Sequence, residues 1–422
     1  MNASILGLAW RSLMNRKGSA LLTILAVALS VGLFLGVEKT RQGAREGFAT
    51  TISGTHLIVG ARTGQVNLLL YSVFRLGDAT AEISWPSYEW LANREDVAWT
   101  VPISLGDSHR GFRVLGTTPG YFEHYKYAGG DSLKIAEGEL FDDLFDAVIG
   151  AEVAQELGYE VGSEIVLSHG LGRAGLQTHD NRPFRVSGVL ERTGTPVDRT
   201  LHVSLEAITA IHVGWETGTR NPMADTISEE MVRGFDLTPR TVTAVFVGLK
   251  QPGRILSVKR SIDTYRGEPM MAIMPGVALT QLWEVSSVAE RALLGVSLFV
   301  VAVGLVSILT SILTSLNARR REMSILRAVG ARPGHIFFLL VAEAALLGFF
   351  GALAGTVLVH VLLTLAGPLL AARYGINLIG TGPGLMDVYT VLAVTGAALM
   401  MGAIPAWLAF RRSLADGLTV KL

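Results

Sequence analysis

Nine histidines and no cysteine bound the side-chain chemistry open to this 422-residue chain. Without cysteine there is no thiolate catalysis, no disulfide and no sulfur-ligated metal. His56, His109, His124, His169, His179, His202 and His212 all fall in one long polar stretch of the chain. His169 and His179 flank a glycine-rich loop with Asp180 beside it, and His202 and His212 straddle a strand-to-helix change. No pair shows a metal-ligand spacing, so the expectation is scattered surface histidines and no metal site. Spacing supports neither a Ser-His-Asp order nor a carboxylate pair, and no catalytic residue is expected. A G-x-x-x-x-G-K-[ST] segment is missing from the sequence. The chain therefore cannot bind and hydrolyse ATP by a P-loop, and it is expected to carry no cofactor of its own.

Glu343 and His360 stand inside an apolar run, where ionisable groups are costly and functional by default. Glu343 is expected to make a polar contact between helices, about two turns from the start of its run. A proton relay is disfavoured, because no second acidic residue in the apolar runs would complete a chain. Small residues recur at helical spacing: Gly32 and Gly36, then Ser307, Ser311 and Ser315, then Gly348, Gly351 and Gly355. Such stripes suit close helix packing in a membrane; for Gly32 and Gly36, ordinary glycine usage competes evenly with that reading.

The most distinctive stretch is basic, running from Arg319 to Pro333 between two apolar runs. At about 100° per residue, Met323, Ile325, Leu326 and Val329 share one arc, and Arg320, Arg321, Ser324 and Arg327 share the other. Gly330 supplies a left-handed cap and Pro333 forbids continuation. Two readings follow: a basic loop that only sets topology, or a docking helix whose apolar face enters the groove of a cytoplasmic partner.

These residues need a scaffold, and the composition indicates a membrane one, with half of the residues hydrophobic. Apolar runs at 18–37, 289–316, 335–365 and 388–410 can each cross a hydrocarbon layer of about 30 Å. A basic flank before the first run also fits a signal peptide. The run's length and the following Glu38-Lys39-Thr40-Arg41, where small cleavage-site residues would be needed, argue for an uncleaved span. Arg11, Arg16 and Lys17, the arginines of 319–332, and Arg411, Arg412 and Lys421 flank the spans, against only Arg373 in the last short loop. That bias places both termini inside and the large domain outside. The fold class is a membrane protein of four transmembrane α-helices, with a large α+β extracytoplasmic domain inserted between the first and second.

By this reading residues 1–37 hold the cytoplasmic flank and first span, and 38–288 the extracytoplasmic domain. Residues 289–422 hold three spans, with the cytoplasmic segment at 317–334. Short strand-like runs such as 184–190 and 241–249 alternate with helical patterns at 87–93, 151–157 and 205–212. The apolar run Val66–Phe74 is expected to be a buried strand or hairpin, or alternatively a membrane-proximal loop touching lipid or a partner. A net charge of zero offers nothing to a nucleic acid.

The order of residues from Arg320 to Ala331 resembles the signature that joins the second and third spans in the FtsX/MacB/LolC-like permeases of ABC transporters. The strings Arg113–Phe122, Ala147–Ala154, Leu157–Ile165 and Phe184–Leu190 are similar to that family's periplasmic core. The tail from Gly402 to Leu418, with Pro405, resembles its ending, and Leu8–Leu13 its amphipathic N-terminal helix. The resemblance implies an ATPase-coupling segment in which Arg320, Glu322, Met323, Ile325, Leu326, Arg327, Val329 and Gly330 take part. It implies a cytoplasmic ABC ATPase subunit that binds ATP and Mg, and a second permease copy or paralogue completing a dimer. It further implies contact with membrane lipids and with a periplasmic adaptor or lipoprotein, and a place in the bacterial inner membrane. The expected function is transmission of ATP-driven motion to the periplasm for export or extraction of a substrate. The alternatives are a signalling permease or membrane-anchored regulator that transports nothing and, third, a metal-handling system.

Overall fold

The computed structural model describes residues 2–169, 179, 182–214, 227–318, 325, 328–374 and 382–415. They divide into two compact units: Met1–Ala44, Ser287–Leu370 and Leu378–Leu422 in one, Arg45–Ser286 and Ala371–Asn377 in the other.

Among the described residues, helices long and apolar enough to cross a membrane span Lys17–Ala49, Pro275–Leu316, Pro333–Gly367 and Leu385–Arg411, after a shorter helix Asn2–Asn15; the first unit holds them up to Ala44 and from Ser287 onward. The helices outlast their apolar runs for local reasons. The first continues to Thr50 despite Gly43 and Gly47, helped by an i,i+3 ion pair between Glu38 and Arg41. The second starts at Pro275, a residue suited to a first helical turn, and reaches Ala318. Val27, Val31, Leu35, Ile308, Ile312, Leu340 and Leu347 form the interior of the bundle. Leu21, Leu22, Phe299, Phe338, Leu365 and Met400 are exposed on it, as lipid-facing side chains would be.

The second unit is built on an eleven-stranded mixed sheet. Its main order is Met270–Ile273, Leu57–Ala61, Ala244–Leu249, Val97–His109, Phe112–Thr117, Thr200–Ser204, Asp146–Ile149, Phe184–Leu190 and Ile135–Gly138. Glu164–Ile165 pairs with 184–190, and Ser168–His169 with 97–109. The central hairpin of 97–109 and 112–117 turns at Arg110 and Gly111, at φ +49° and +91°, the two positive values that a tight twisted hairpin needs. Two short two-stranded pairings stand beside this sheet, Ile83–Ser84 with Thr241–Val242 and Lys126–Tyr127 with Asp131–Ser132, and separate apolar clusters lie around Tyr121 and Phe246, around Phe184 and Ile211, and around Leu57 and Ile262.

Two elements differ from the sequence reading. Gln65–Phe74 is a buried helix, not a strand, hairpin or lipid-touching loop. Its leucines favour a helix over a β-branched strand, and Arg75 ends it in a left-handed turn, with Leu76 N–H donating to the Leu70 carbonyl at 3.1 Å. The thirteen-residue strand Val97–His109 went unread, because Pro102, Gly106 and Asp107 within it look like turn signals. Register bulges near Gly106 and Asp107 accommodate them.

Candidate functional site

Of the segment expected to couple to an ATPase, Arg320, Glu322, Met323, Leu326 and Arg327 lie outside the described residues. Ile325, Val329 and Gly330 are described. Val329 N–H donates to the Ile325 carbonyl at 3.1 Å, closing one α-helical turn. Gly330 follows at φ +99° and ends it. Ile325 is 57% exposed and Val329 84%, so two branched apolar side chains stack one turn apart on an open surface.

Within the bundle, the small residues fall into two groups. A Cβ added at Gly351 would lie 2.6 Å from the Val27 side chain, and one at Gly355 would lie 2.5 Å from the Ala28 carbonyl oxygen. The first and third helices touch backbone to backbone there, with Gly32 opposite Gly355. Gly36 makes only ordinary contact with Val359. Ser307 donates to Gly304 in its own helix, and Ser307 and Ser311 are half-buried. The close contact of the second helix with the first is made instead by Gly304 against Ser30. The third and fourth meet at Gly348 against Ala398 and at Gly402 against Ala344.

Glu343 is buried inside the bundle at 4% exposure. His360 is joined by a carboxylate that the sequence reading had placed outside the spans. Asp387, buried near the start of the fourth helix, lies 3.6 Å from His360 Nε2 and 3.1 Å from Lys39 Nζ. Asp387 is thus a second acidic residue within the spans, contrary to the expectation that none is present. The apolar run starts at Val388, whereas the helix begins three residues earlier at Leu385. Lys39 also donates to the Gly382 carbonyl at 3.1 Å, and Gly384 N–H donates to Asp387 Oδ2 at 2.8 Å. The first, third and fourth helices thus meet at one largely buried polar cluster, in which Lys39 and Asp387 form the ion pair. Its signal in the sequence was Lys39 just after the first apolar run and Asp387 just before the last.

In the extracytoplasmic unit, the outer ends of the first two membrane helices belong to the core. Phe48 packs against Phe74 at 4.4 Å between centroids and against Trp283 at 5.6 Å, edge to face. The Arg45 guanidinium lies 5.4 Å from the Trp283 ring centre. Ala278 and Leu279 are buried in the same cluster as Val101, Tyr121 and Phe246.

The histidines are not scattered over the surface: His109, His179 and His202 are buried. His109 Nδ1 donates to the Val166 carbonyl at 2.7 Å and its Nε2 accepts from the Tyr159 hydroxyl at 2.9 Å. Burial holds it neutral by lowering its pKa. Burial pushes His202, which donates to the Val148 carbonyl at 3.2 Å, down to about 3. His124 stacks flat on Trp99 at 4.6 Å, and the rings of His179 and His212 meet at 5.3 Å. The side chain of His169 and residues 170–178 and 180 lie outside the description.

A MacB-like periplasmic core domain model matches residues 20–265, and an FtsX-like permease C-terminal model matches residues 294–416. Among solved structures, the periplasmic region of MacB from Actinobacillus actinomycetemcomitans is similar at 12% identity, covering 55% of this chain and 94% of that one, with a TM-score of 0.33. The extracellular domain of the noncanonic ABC-type transporter YknZ from Gram-positive bacteria is similar at 14% identity, covering 52% and 99%, with a TM-score of 0.30. No curated protein matches the chain.

Proposed function

Since the chain belongs to the family of FtsX-like permeases with a MacB-like periplasmic core domain, we propose that it is the membrane subunit of an ABC transporter. In this reading it turns ATP hydrolysis on a separate polypeptide into movement of its extracytoplasmic domain. Both termini and the 317–334 segment face the cytoplasm, as the distribution of arginines favours. A cytoplasmic ATPase holding ATP and Mg receives the apolar face of that segment in a groove. A second permease copy or paralogue completes the transporter in the inner membrane, and a periplasmic adaptor or lipoprotein takes up the motion for export or extraction.

The observation that carries this reading is the exposed pair Ile325 and Val329, aligned on one helical turn and closed by Gly330. Side chains of this kind gain most by burial in a partner, on the order of 1.5–3 kcal/mol each. The incorporation of Phe48, Ala278 and Leu279 into the extracytoplasmic core supports the second half of the reading, because any displacement of those helix ends must be felt in that core.

Purification of the full-length protein from native membranes in mild detergent is expected to bring down a polypeptide with Walker motifs. Ile325→Asp and Val329→Asp, each inserted normally, should lower its recovery by about tenfold or more. Unchanged recovery with both variants removes the docking reading.

A further inference from the structure

Three residues far apart in the sequence converge beside a cleft of the extracytoplasmic unit: Asp107 in the strand Val97–His109, His179, and His212 at the end of the helix Leu205–His212. One ligand atom from each lies within 4.8 Å of the others. We propose that Asp107, His179 and His212 bind a divalent transition-metal ion of the zinc class, with a further coordination position open to the cleft.

The donor set is the first reason. Two imidazoles and a carboxylate suit zinc and its neighbours, and they do not suit magnesium or calcium, which take oxygen ligands. The second reason is the way His212 is held. Its Nδ1 lies 2.6 Å from the Ile208 carbonyl oxygen, which can only accept, so Nδ1 carries the proton. Its Nε2 lies 3.9 Å from Asp107 Oδ1. A ring nitrogen fixed as a base by a backbone carbonyl on its other nitrogen is the arrangement found behind metal-bound histidines. A direct His–Asp hydrogen bond would be about 1 Å shorter.

The backbone also arranges the site in advance. His179 N–H donates to the Leu167 carbonyl at 2.9 Å, and its own carbonyl accepts from Arg182 N–H at 3.1 Å. The buried Arg182 guanidinium donates to the carbonyls of Ala210 and Val213, on either side of His212. The segment bearing one histidine is thereby tied to the helix end bearing the other. Tetrahedral donors around zinc sit about 3.4 Å apart. Binding at that spacing requires the side chains to rotate together, and His212 is half-buried at the edge of the cleft.

Asp107 and His212 line a cleft of about 750 Å³, together with Ser104, Phe235, Asp236 and Arg240. Structural zinc sites are closed by four protein ligands, whereas sites that exchange a ligand keep a position open. Among the described residues three protein ligands meet here, two of them in the wall of the cleft, which fits the second kind. The site needs no ATPase and stands independently of the coupling reading.

The test uses the full-length protein in detergent, carrying a tag without histidine, stripped by chelator and titrated with Co(II) alone and with Zn(II) alone. One equivalent of Co(II) is expected to bind with visible d–d absorption, and Zn(II) should displace it and raise the melting temperature. His212→Ala and Asp107→Asn should each weaken Zn(II) binding at least about tenfold and remove the melting shift, while His124→Ala binds as the wild type. Should His212→Ala melt early without metal, His212→Gln, which keeps the helix end polar, serves in its place. Absence of saturable binding by the wild type, or binding by both ligand variants equal to it, overturns the proposal.

Discussion

Inside the membrane unit the residues at helix crossings are Gly351, Gly355, Ala344, Ala352 and Ala398, whereas the extracytoplasmic unit buries Phe184, Phe246, Tyr121 and Leu68. Large apolar residues are plentiful in both. In the membrane unit Leu21, Phe299 and Leu365 point outward. The solvent explains the contrast. Water drives phenylalanine into a core, but lipid tails are as apolar as leucine and leave close backbone approach and polar contacts as the attractive terms. Charge is handled differently as well. The bundle seals a Lys39–Asp387 pair, while the sheet domain buries His202 neutral on a backbone carbonyl.

The contrast can be broken most forcefully at the ionic cluster. Lys39→Met strands the Asp387 carboxylate and is expected to cost about 3–5 kcal/mol of stability, whereas adding Asp387→Leu should restore most of it. Melting of single and double variants in the same detergent measures the difference, and equal melting would place the bundle's stability elsewhere.

Next in size, Gly355→Leu should cost about 1–3 kcal/mol by forcing the first and third helices apart. Gly396→Leu, where nothing lies within 4 Å, should leave the melting temperature unchanged. A loss at both positions would mean that leucine anywhere in the bundle is harmful and that the crossing is unremarkable.

The smallest effect concerns acid. His202 titrates near 6.5 when unfolded but about 3 when folded, so the unfolded chain binds the extra proton. Its contribution is complete above pH 6.5 and declines as pH falls toward 3, by about 1.4 kcal/mol per pH unit. His109, also lowered by burial, acts in the same direction. Tryptophan-monitored denaturation of the full chain between pH 7 and 5 should show the slope, reduced by one proton in His202→Gln. A slope identical in the two proteins would show that this burial does not govern acid stability.

The membrane unit was the more legible half. Long apolar runs and arginine flanks reveal spans because lipid admits few alternatives, and glycines four apart marked the Gly351–Gly355 crossing. The strand 184–190 was readable from its alternation. The 97–109 strand was not, since its proline and glycine are tolerated only by tertiary bulges that a linear reading does not contain. Asp107, His179 and His212 carry no common spacing; the sheet and the Arg182 tether bring them together. Asp387 lies in the first turn of the fourth helix, ahead of its apolar run at Val388, and helix boundaries are where apolar periodicity is weakest as a guide.

The Lys39–Asp387–His360 cluster also acts as a register pin. A slip of one residue along a helix axis is about 1.5 Å, enough to pull an ammonium out of contact with a carboxylate that has little water to replace it. The first helix therefore cannot creep gradually past the third and fourth. Sliding it by one residue would have to open the whole cluster at once.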